Sequence, residues 1–597
     1  MSRPVDDVAV WAPRAAAVEL VAVAKEGDEP RRVAMEGPDE RGWFRTPHDG
    51  SIVGLGPAEL DSEVSYGFSL DGGPPRPDPR SPWQPEGVNG LSRPVDHAAF
   101  AWTDGGWAGR ALGGGSVVYE LHVGTFSPEG TFAGAAGRLD HLVDLGVDIV
   151  ELLPVNQFPG RWGWGYDGVD LFAPHAAYGG PEDLKGLVDA AHARGLAVVI
   201  DVVYNHFGPA GNYLREFGPY FTDRYSTPWG DAVNFDGSGS DEVRDFVADN
   251  ALMWLRDYHA DGLRIDAVHA ILDTSAVHVL EEMARRVADL AAEVGRPLFL
   301  VAESDLNDPR LVRPPEAGGY GLDAQWSDDF HHALHSVVTG ERAGYYADFG
   351  SLEQLAKAVR QAFVHDGGYS PFRGRRHGRP PTGLDATRFL AYLQNHDQVG
   401  NRATGERSSM LVGPGMLKVA AALVLLGPSL PMLFQGEEWG ASTPFQYFTD
   451  HDDPDLGKAV SEGRRREFAA FGWAPDDVPD PQDQETFERS KLRWDEVGEP
   501  DHKALLDWHR RLIALRRAEP ALSTGTFDAL DVRFDEDRRW MIVDRGDLSI
   551  VCNFSPEPRR VPDVAGEILM ASDDSVAVVD DAVDLPPTSV AIVRRSA

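Results

Sequence analysis

Cysteine is almost absent: Cys552 stands alone in 597 residues. No disulfide can close within the chain, and no cysteine-built zinc site can be assembled. Long apolar runs are missing as well. The longest, 419–426, falls far short of the roughly 20 residues a bilayer-spanning helix needs. The opening segment Met1-Ser-Arg-Pro-Val-Asp-Asp shows no apolar core of a secretory signal. Positive charge is scarce: 56 Lys and Arg face 95 Asp and Glu, a formal net charge of −39. That balance repels nucleic acid and anionic membranes, and a neutral polymer such as a glucan suits it better than a polyanion. These shortages predict a cytoplasmic protein without nucleic-acid or membrane partners.

What is present suffices for a large core, since 42% of residues are hydrophobic and 25% charged, ordinary globular values. The length exceeds one compact domain. Residues 1–95 read as short strands separated by Gly, Pro and Asp turns, which predicts a small N-terminal β-sandwich of immunoglobulin-like type. A proline-rich strap, Gly73-Gly-Pro-Pro-Arg-Pro-Asp-Pro-Arg-Ser-Pro, follows. Over 96–522 the texture alternates. Strand-like runs at 117–123, 147–153, 196–203, 263–265, 298–302, 324–326, 389–393 and 431–434 are interleaved with helical patterns at 139–145, 181–194, 242–258, 277–292, 352–364, 416–426 and 502–517. Eight such alternations predict a closed (β/α)8 barrel. The Gly-, Pro- and aromatic-rich stretch 207–241 reads as an inserted loop. Another irregular stretch, 369–388, holds Arg373-Gly-Arg-Arg-His-Gly-Arg-Pro-Pro381, expected to be a loop salt-bridged to its own acidic surface. Period-two alternation returns over 523–597 and predicts a C-terminal β-domain.

Four segments concentrate the ionisable residues: Asp201-Val-Val-Tyr-Asn-His206, Gly262-Leu-Arg-Ile-Asp-Ala267, Val301-Ala-Glu-Ser304 and Gln394-Asn-His-Asp-Gln398. Each is greasy along its length and charged at its C-terminal end. Barrel strands are buried throughout and do their chemistry where they emerge, so four such endings predict one site built from four strands. Two carboxyls with separated pKa values suit retaining glycosidic cleavage. Arg264 precedes Asp266 by two residues, which puts both on the inward face. The guanidinium would keep Asp266 ionised, as a nucleophile must be. Glu303 follows an apolar run and is the better general acid.

Aromatic residues in the flanking loops, Trp162, Trp164, Tyr166, Trp439, Tyr447 and Phe448, offer flat apolar faces to sugar rings or pack their own loops. Gly163-Trp-Gly-Tyr-Asp-Gly168 matches the dinucleotide fingerprint in spelling only, because no helix pattern follows and Trp and Tyr would block a pyrophosphate. No cofactor is expected. No dense carboxylate cluster surrounds Asn205 near the inserted loop, and no metal is expected.

With these residues assembled, the chain resembles the α-amylase family of retaining α-glucan enzymes, whose four characteristic regions appear here in order. The resemblance implies that Asp266 is the nucleophile, Glu303 the acid/base and Asp397 the transition-state stabiliser. It further implies that Asp201, His206, Arg264 and His396 surround the sugar at the cleavage site and that Tyr166 stacks on it. Tyr119-Glu-Leu-His-Val-Gly-Thr-Phe126, Ala302-Glu-Ser-Asp-Leu-Asn-Asp308, Asn395-His-Asp-Gln-Val-Gly-Asn-Arg402 and Gln435-Gly-Glu-Glu-Trp-Gly-Ala441 are similar to a trehalose-releasing subgroup of that family. That likeness implies hydrolysis of the α-1,4 bond next to the trehalose end of an α-1,4-glucan oligosaccharide. Asp305 and Asp308, just beyond the acid, could hold trehalose hydroxyls in the leaving-group site or equally cap their own loop. A glucan branching enzyme is the alternative, though Asn395-His-Asp-Gln398 departs from the Ser-His-Asp-Glu typical there. A catalytically dead glucan-binding module is the non-enzymatic alternative.

Overall fold

The computed structural model describes residues 8–24, 27–47, 64–469, 474, 477–528 and 530–596. The opening heptapeptide read above for a signal lies outside the described residues. Eight parallel strands close into a barrel in chain order: Val118–Leu121, Ile149–Leu152, Ala197–Val202, Gly262–Ile265, Phe299–Ala302, Ala324–Trp326, Phe389–Ala391 and Leu430–Phe434. The eighth pairs back on the first, Leu433 beside Tyr119 and Phe434 beside Glu120. All eight expected strands are present.

Period two then sorts every strand into an inner and an outer set. Val118, Ile149, Ala197, Val199, Phe299, Val301, Ala324, Leu390, Leu430 and Met432 pack together as one buried cluster, the plug of the barrel. Their outward neighbours, such as Tyr119, Val150, Val198, Ile200, Leu263, Ile265 and Leu300, join the helices in the larger core. Gly262 opens the fourth strand because a Cβ there would sit 2.5 Å from the Phe299 ring. Each large apolar side chain so buried stabilises the fold by roughly 1.5–3 kcal/mol before chain entropy is subtracted. Stepping two residues further along the inner set reaches Glu120, Glu151, Asp201, Arg264 and, past the strand ends, Asp266 and Glu303. The same alternation that builds the plug therefore lays a charged floor above it.

Helices expected from periodicity cover the barrel, among them Pro181–His192, Ser240–Arg256, Val279–Val294, Pro414–Leu426 and Pro500–Ala518. Pro414–Leu426 is buried on nearly every face, held between Pro500–Ala518 and strands of the C-terminal sheet. The stretch 207–241 is not the irregular loop expected. It carries the helix Leu214–Phe217 and an antiparallel hairpin, Phe221–Thr227 with Gly230–Val233. Asp366–Ser370 and Arg375–Gly378 likewise form a hairpin where a loop was expected. Within its basic run only Arg373 pairs with a described carboxylate, Asp305 at 3.1 Å; Arg375 and Arg376 donate to backbone carbonyls instead.

At the N-terminal end, a three-stranded and a two-stranded sheet face the barrel. Arg41 meets Glu242 at 2.6 Å and Arg80 meets Asp249 at 2.8 Å across that contact. At the other end, a five-stranded and a three-stranded antiparallel sheet enclose their own apolar cluster. No helix among the described residues is long and apolar enough to cross a membrane.

Candidate active site

Arg264 has no exposed side-chain surface and stands at the centre of the floor. Its Nη1 donates to Asp201 Oδ2 at 2.7 Å and to Asp266 Oδ1 at 2.8 Å, and Nη2 lies 3.8 Å from Glu303 Oε2. The guanidinium also lies 4.3 Å from the Trp326 ring centre. A planar, permanently charged fork can serve three carboxylates at once, which lysine could not. Asn205 Nδ2 donates to the other Asp266 oxygen at 2.7 Å and to the Asp266 carbonyl at 2.9 Å. Both oxygens of that carboxylate are thus oriented.

Glu303 is placed by the neighbouring strand end. Ala267 adopts a left-handed conformation, φ 39°, which non-glycine residues enter only at a cost. There its N–H donates to Glu303 Oε2 at 2.6 Å. Burial pushes the Glu303 carboxyl well above its ordinary range; Arg264 opposes this, while Asp266, Asp328 and Asp397 reinforce it. Asp201 is lifted by burial to about 6 against the pull of Arg264. Asp328, also raised by burial to about 6, caps the sixth-strand end and accepts a hydrogen bond from Tyr392.

A second group descends from the other side of the barrel mouth. His396 is 1% exposed, with Nδ1 2.5 Å from Glu120 Oε1 and its backbone N–H 3.0 Å from Oε2. Burial works against its charge, but Asp397 and Glu120 prevail and carry its pKa to about 9. Its Nε2 lies 2.8 Å from Tyr166 Oη, and Tyr166 donates to Asp201 Oδ2 at 2.6 Å. The Tyr166 and His396 rings stack at 5.2 Å. Asp397, with 42% of its side chain exposed, lies 3.6 Å from His396 Nε2 and looks into the cleft.

Of the residues singled out in the sequence, the structure brings Tyr166, Asp201, Arg264, Asp266, Glu303, His396 and Asp397 into one connected group. His206 joins at its edge through Asn205 and stacks at 4.6 Å on Trp229, whose own exposure is 48%. Asp305 stands apart and turns toward Arg373 of the hairpin. Several aromatics offered as sugar platforms are loop packing instead. Trp164 and Phe448 pack with Phe445 in a closed cluster, and Trp439 is 1% exposed with its N–H on Glu496. The glycine-rich GxGxxG look-alike runs into the strand Asp170–Pro174 rather than a helix. Glu120, Asp328, Tyr392 and Trp229 escaped the sequence reading. A lone carboxylate inside the apolar Val118–Leu121 strand was a readable signal for the first. Among the described residues no group of three or more His, Cys, Asp or Glu could hold a metal ion.

The alpha-amylase catalytic-domain family matches residues 97–226, and a domain of unknown function matches 525–592. A malto-oligosyltrehalose trehalohydrolase from Rhizobium sp. (strain M-11) is 53% identical over 98% of this chain and 97% of its own. One from Arthrobacter ramosus is 55% identical over 94% and 95%. A Salmonella typhimurium crystal structure described as an alpha amylase superposes with a TM-score of 0.88 at 38% identity, over 100% of this chain and 99% of that one. A 1,4-alpha-glucan branching enzyme from Mycobacterium bovis reaches only 32% identity over 55% of this chain. Fold and site together define an alpha-amylase-type glycoside hydrolase. Within that class, the chain belongs to the malto-oligosyltrehalose trehalohydrolase family.

Proposed function

We propose that this chain is a retaining hydrolase that cleaves the α-1,4 bond next to the terminal trehalose of maltooligosyltrehalose, releasing trehalose and a shorter maltooligosaccharide. The observation that carries the chemistry is the division of environment around Arg264. One carboxylate, Asp266, is held by a guanidinium at 2.8 Å and by an amide; the other, Glu303, is buried with its pKa raised. That split supports Asp266 as nucleophile and Glu303 as proton donor. Glu303 protonates the glycosidic oxygen as Asp266 attacks the anomeric carbon, and the trehalose leaves. Glu303, now a carboxylate, takes a proton from water, which attacks the glycosyl-enzyme and frees the sugar with retained configuration.

Asp397 and His396 would grip hydroxyls of the distorting sugar, Tyr166 would lie against its ring, and Asp201, Arg264 and His206 would line its pocket. Asp305 would border the leaving-group side together with Arg373. We also take residues 1–95, 96–522 and 523–597 as the three structural units. Cys552, buried and free, agrees with a cytoplasmic setting.

Incubation with maltooligosyltrehalose, maltooligosaccharide and amylose tests the assignment by product analysis. Free trehalose from the first substrate is expected; new α-1,6 branches without trehalose would transfer the chain to the branching enzymes. Glu303→Gln should lower turnover by about 10²–10⁴-fold while oligosaccharide binding persists. Unchanged turnover would remove Glu303 from the mechanism, and binding without turnover in the unmutated chain would favour a glucan-binding module.

A further inference from the structure

Glu120 has no place in the chemistry above, yet it is among the most deeply buried carboxylates of the barrel, 1% exposed at the upper end of the first strand. Its two oxygens divide between two groups of one residue: Oε1 lies 2.5 Å from His396 Nδ1 and Oε2 accepts the His396 backbone N–H at 3.0 Å. A carboxylate spent in this way fixes both the position of the peptide and the rotation of the ring.

The next contacts have a direction. Tyr166 gives its only proton to Asp201 Oδ2 at 2.6 Å, and Asp201 Oδ2 also accepts from Arg264. The Tyr166 oxygen is therefore left as an acceptor toward His396 Nε2 at 2.8 Å. With Glu120 accepting on both oxygens, both imidazole nitrogens must then carry protons. From these directions we propose that Glu120 is a positioning residue of the reaction, which holds His396 as an imidazolium donating at both ring nitrogens and so fixes the hydrogen-bond directions from His396 through Tyr166 to Asp201, the carboxylate that Arg264 shares with Asp266. The inference rests on the functional reading above for its roles, but its geometry does not depend on which glucan is cut.

Charged and titratable groups face His396 from every side. Glu120 and Glu151 come from the first two strands, Asp201 and Arg264 from the third and fourth, Tyr166 and His122 from the loops, and Asp397 from its own short helix. Glu151 lies in register beside Glu120, and burial together with Glu120 pushes its carboxyl well above the ordinary range. Of the two neighbouring carboxyls, Glu120 thus faces the imidazole while Glu151 is pushed toward its neutral form.

The test uses the full chain and two readouts. In Glu120→Gln a single amide oxygen must choose between ring and backbone. The alkaline limb of kcat/KM for maltooligosyltrehalose, set by whichever of Glu303 and His396 loses its proton first, is expected to move toward lower pH by about one unit or more as His396 becomes the first, with kcat/KM down about 10²-fold at neutral pH. Glu151→Gln, isosteric with a neutral acid, should leave that limb in place. Carbon-13 labelling of the histidine rings, with the His396 signal identified by its loss in His396→Gln, follows the ring directly. In the unmutated chain it should keep both protons through about pH 8, a measurement that stands even if Glu120→Gln fails to fold. Titration near the ordinary value of about 6.5, or a Glu120→Gln variant altered only in thermal midpoint, would overturn the inference. Absence of trehalose among the products would instead strike the functional reading and leave the ring titration to decide this one.

Discussion

A guanidinium without exposed surface, 2.7 Å from Asp201 and 2.8 Å from Asp266, cannot be removed without leaving buried carboxylates unmatched. Arg264→Met should destabilise the barrel by about 3–5 kcal/mol, the usual cost of breaking a buried pair from one side. A lowered denaturant midpoint of the intrinsic fluorescence would show it. Glu303 makes the opposite prediction. Its pKa is raised in the folded chain, so the fold binds its proton more tightly than the unfolded chain does. Its stabilising contribution is complete below the ordinary Glu value of about 4.3 and is lost as pH rises through the folded value. Glu303→Gln, which needs no proton, should therefore be inactive yet more heat-stable than the unmutated chain at neutral pH. The gain in apparent thermal midpoint should shrink toward pH 4. A gain that is flat with pH would contradict the raised pKa.

Elements were legible in proportion to how simply their burial was written. The eight barrel strands bury both faces, so each reads as an apolar, β-branched run, and even the short Ala324–Trp326 was found. The helix Asp328–Thr339 was not, because His331, His332 and His335 are buried beside Phe330, Leu334 and Val337 and break the apolar pattern with polar residue types. His331 bonds to the Leu393 carbonyl and the Tyr346 hydroxyl, and His335 reaches Glu341. Hydrogen-bond partners of this kind make a buried histidine tolerable without leaving a periodic trace in the sequence. The site divides the same way. Asp266 and Glu303 stand at strand ends and were visible; Trp164 and Trp439 look identical in sequence to sugar platforms, and only packing shows them to be filled.

The hairpin of Asp366–Ser370 and Arg375–Gly378 is anchored on the loop that follows Glu303 by Arg373 on Asp305 and by His377 Nε2, 2.7 Å from the Asp305 carbonyl. Because the Asp305 side chain is 43% exposed, its ion pair is screened and contributes under about 1 kcal/mol to stability. Arg373→Ala should leave the thermal midpoint nearly unchanged. It should raise KM for maltooligosyltrehalose by about 3–10-fold, with little change for unmodified maltooligosaccharide, as expected of lost binding at one end of a substrate. Equal effects on both substrates would detach the hairpin from the leaving group.

For the whole molecule, the acidic excess of 95 carboxylates over 56 basic groups leaves a neutral oligosaccharide indifferent to bulk charge. kcat/KM should vary less than about 2-fold between low and high salt; a steep dependence would reveal a charged ligand. Two buried arginines meet at the end of the helix Pro414–Leu426, Arg516 from within the barrel and Arg545 from the C-terminal sheet. Arg516 donates to the carbonyls of Leu425, Gly427 and Ser429, and Arg545 to those of Leu426, Gly427 and Leu522. Together they satisfy the open C-terminal end of the helix Pro414–Leu426. Burial lowers their pKa values to about 9 and about 10, a cost offset by those six carbonyl contacts.

That helix has a consequence in time as well as in space. Its apolar residues leave the ribosome with the end of the barrel, but the sheet that covers them is finished only by the closing strand Ser589–Arg595. At about 5–20 residues per second, ~4–15 s pass in which a complete barrel sequence carries a greasy helix still bare on the side the C-terminal sheet will cover. During that interval the nascent chain is a natural client for holding chaperones, and translation speed over the last part of the message becomes a determinant of yield.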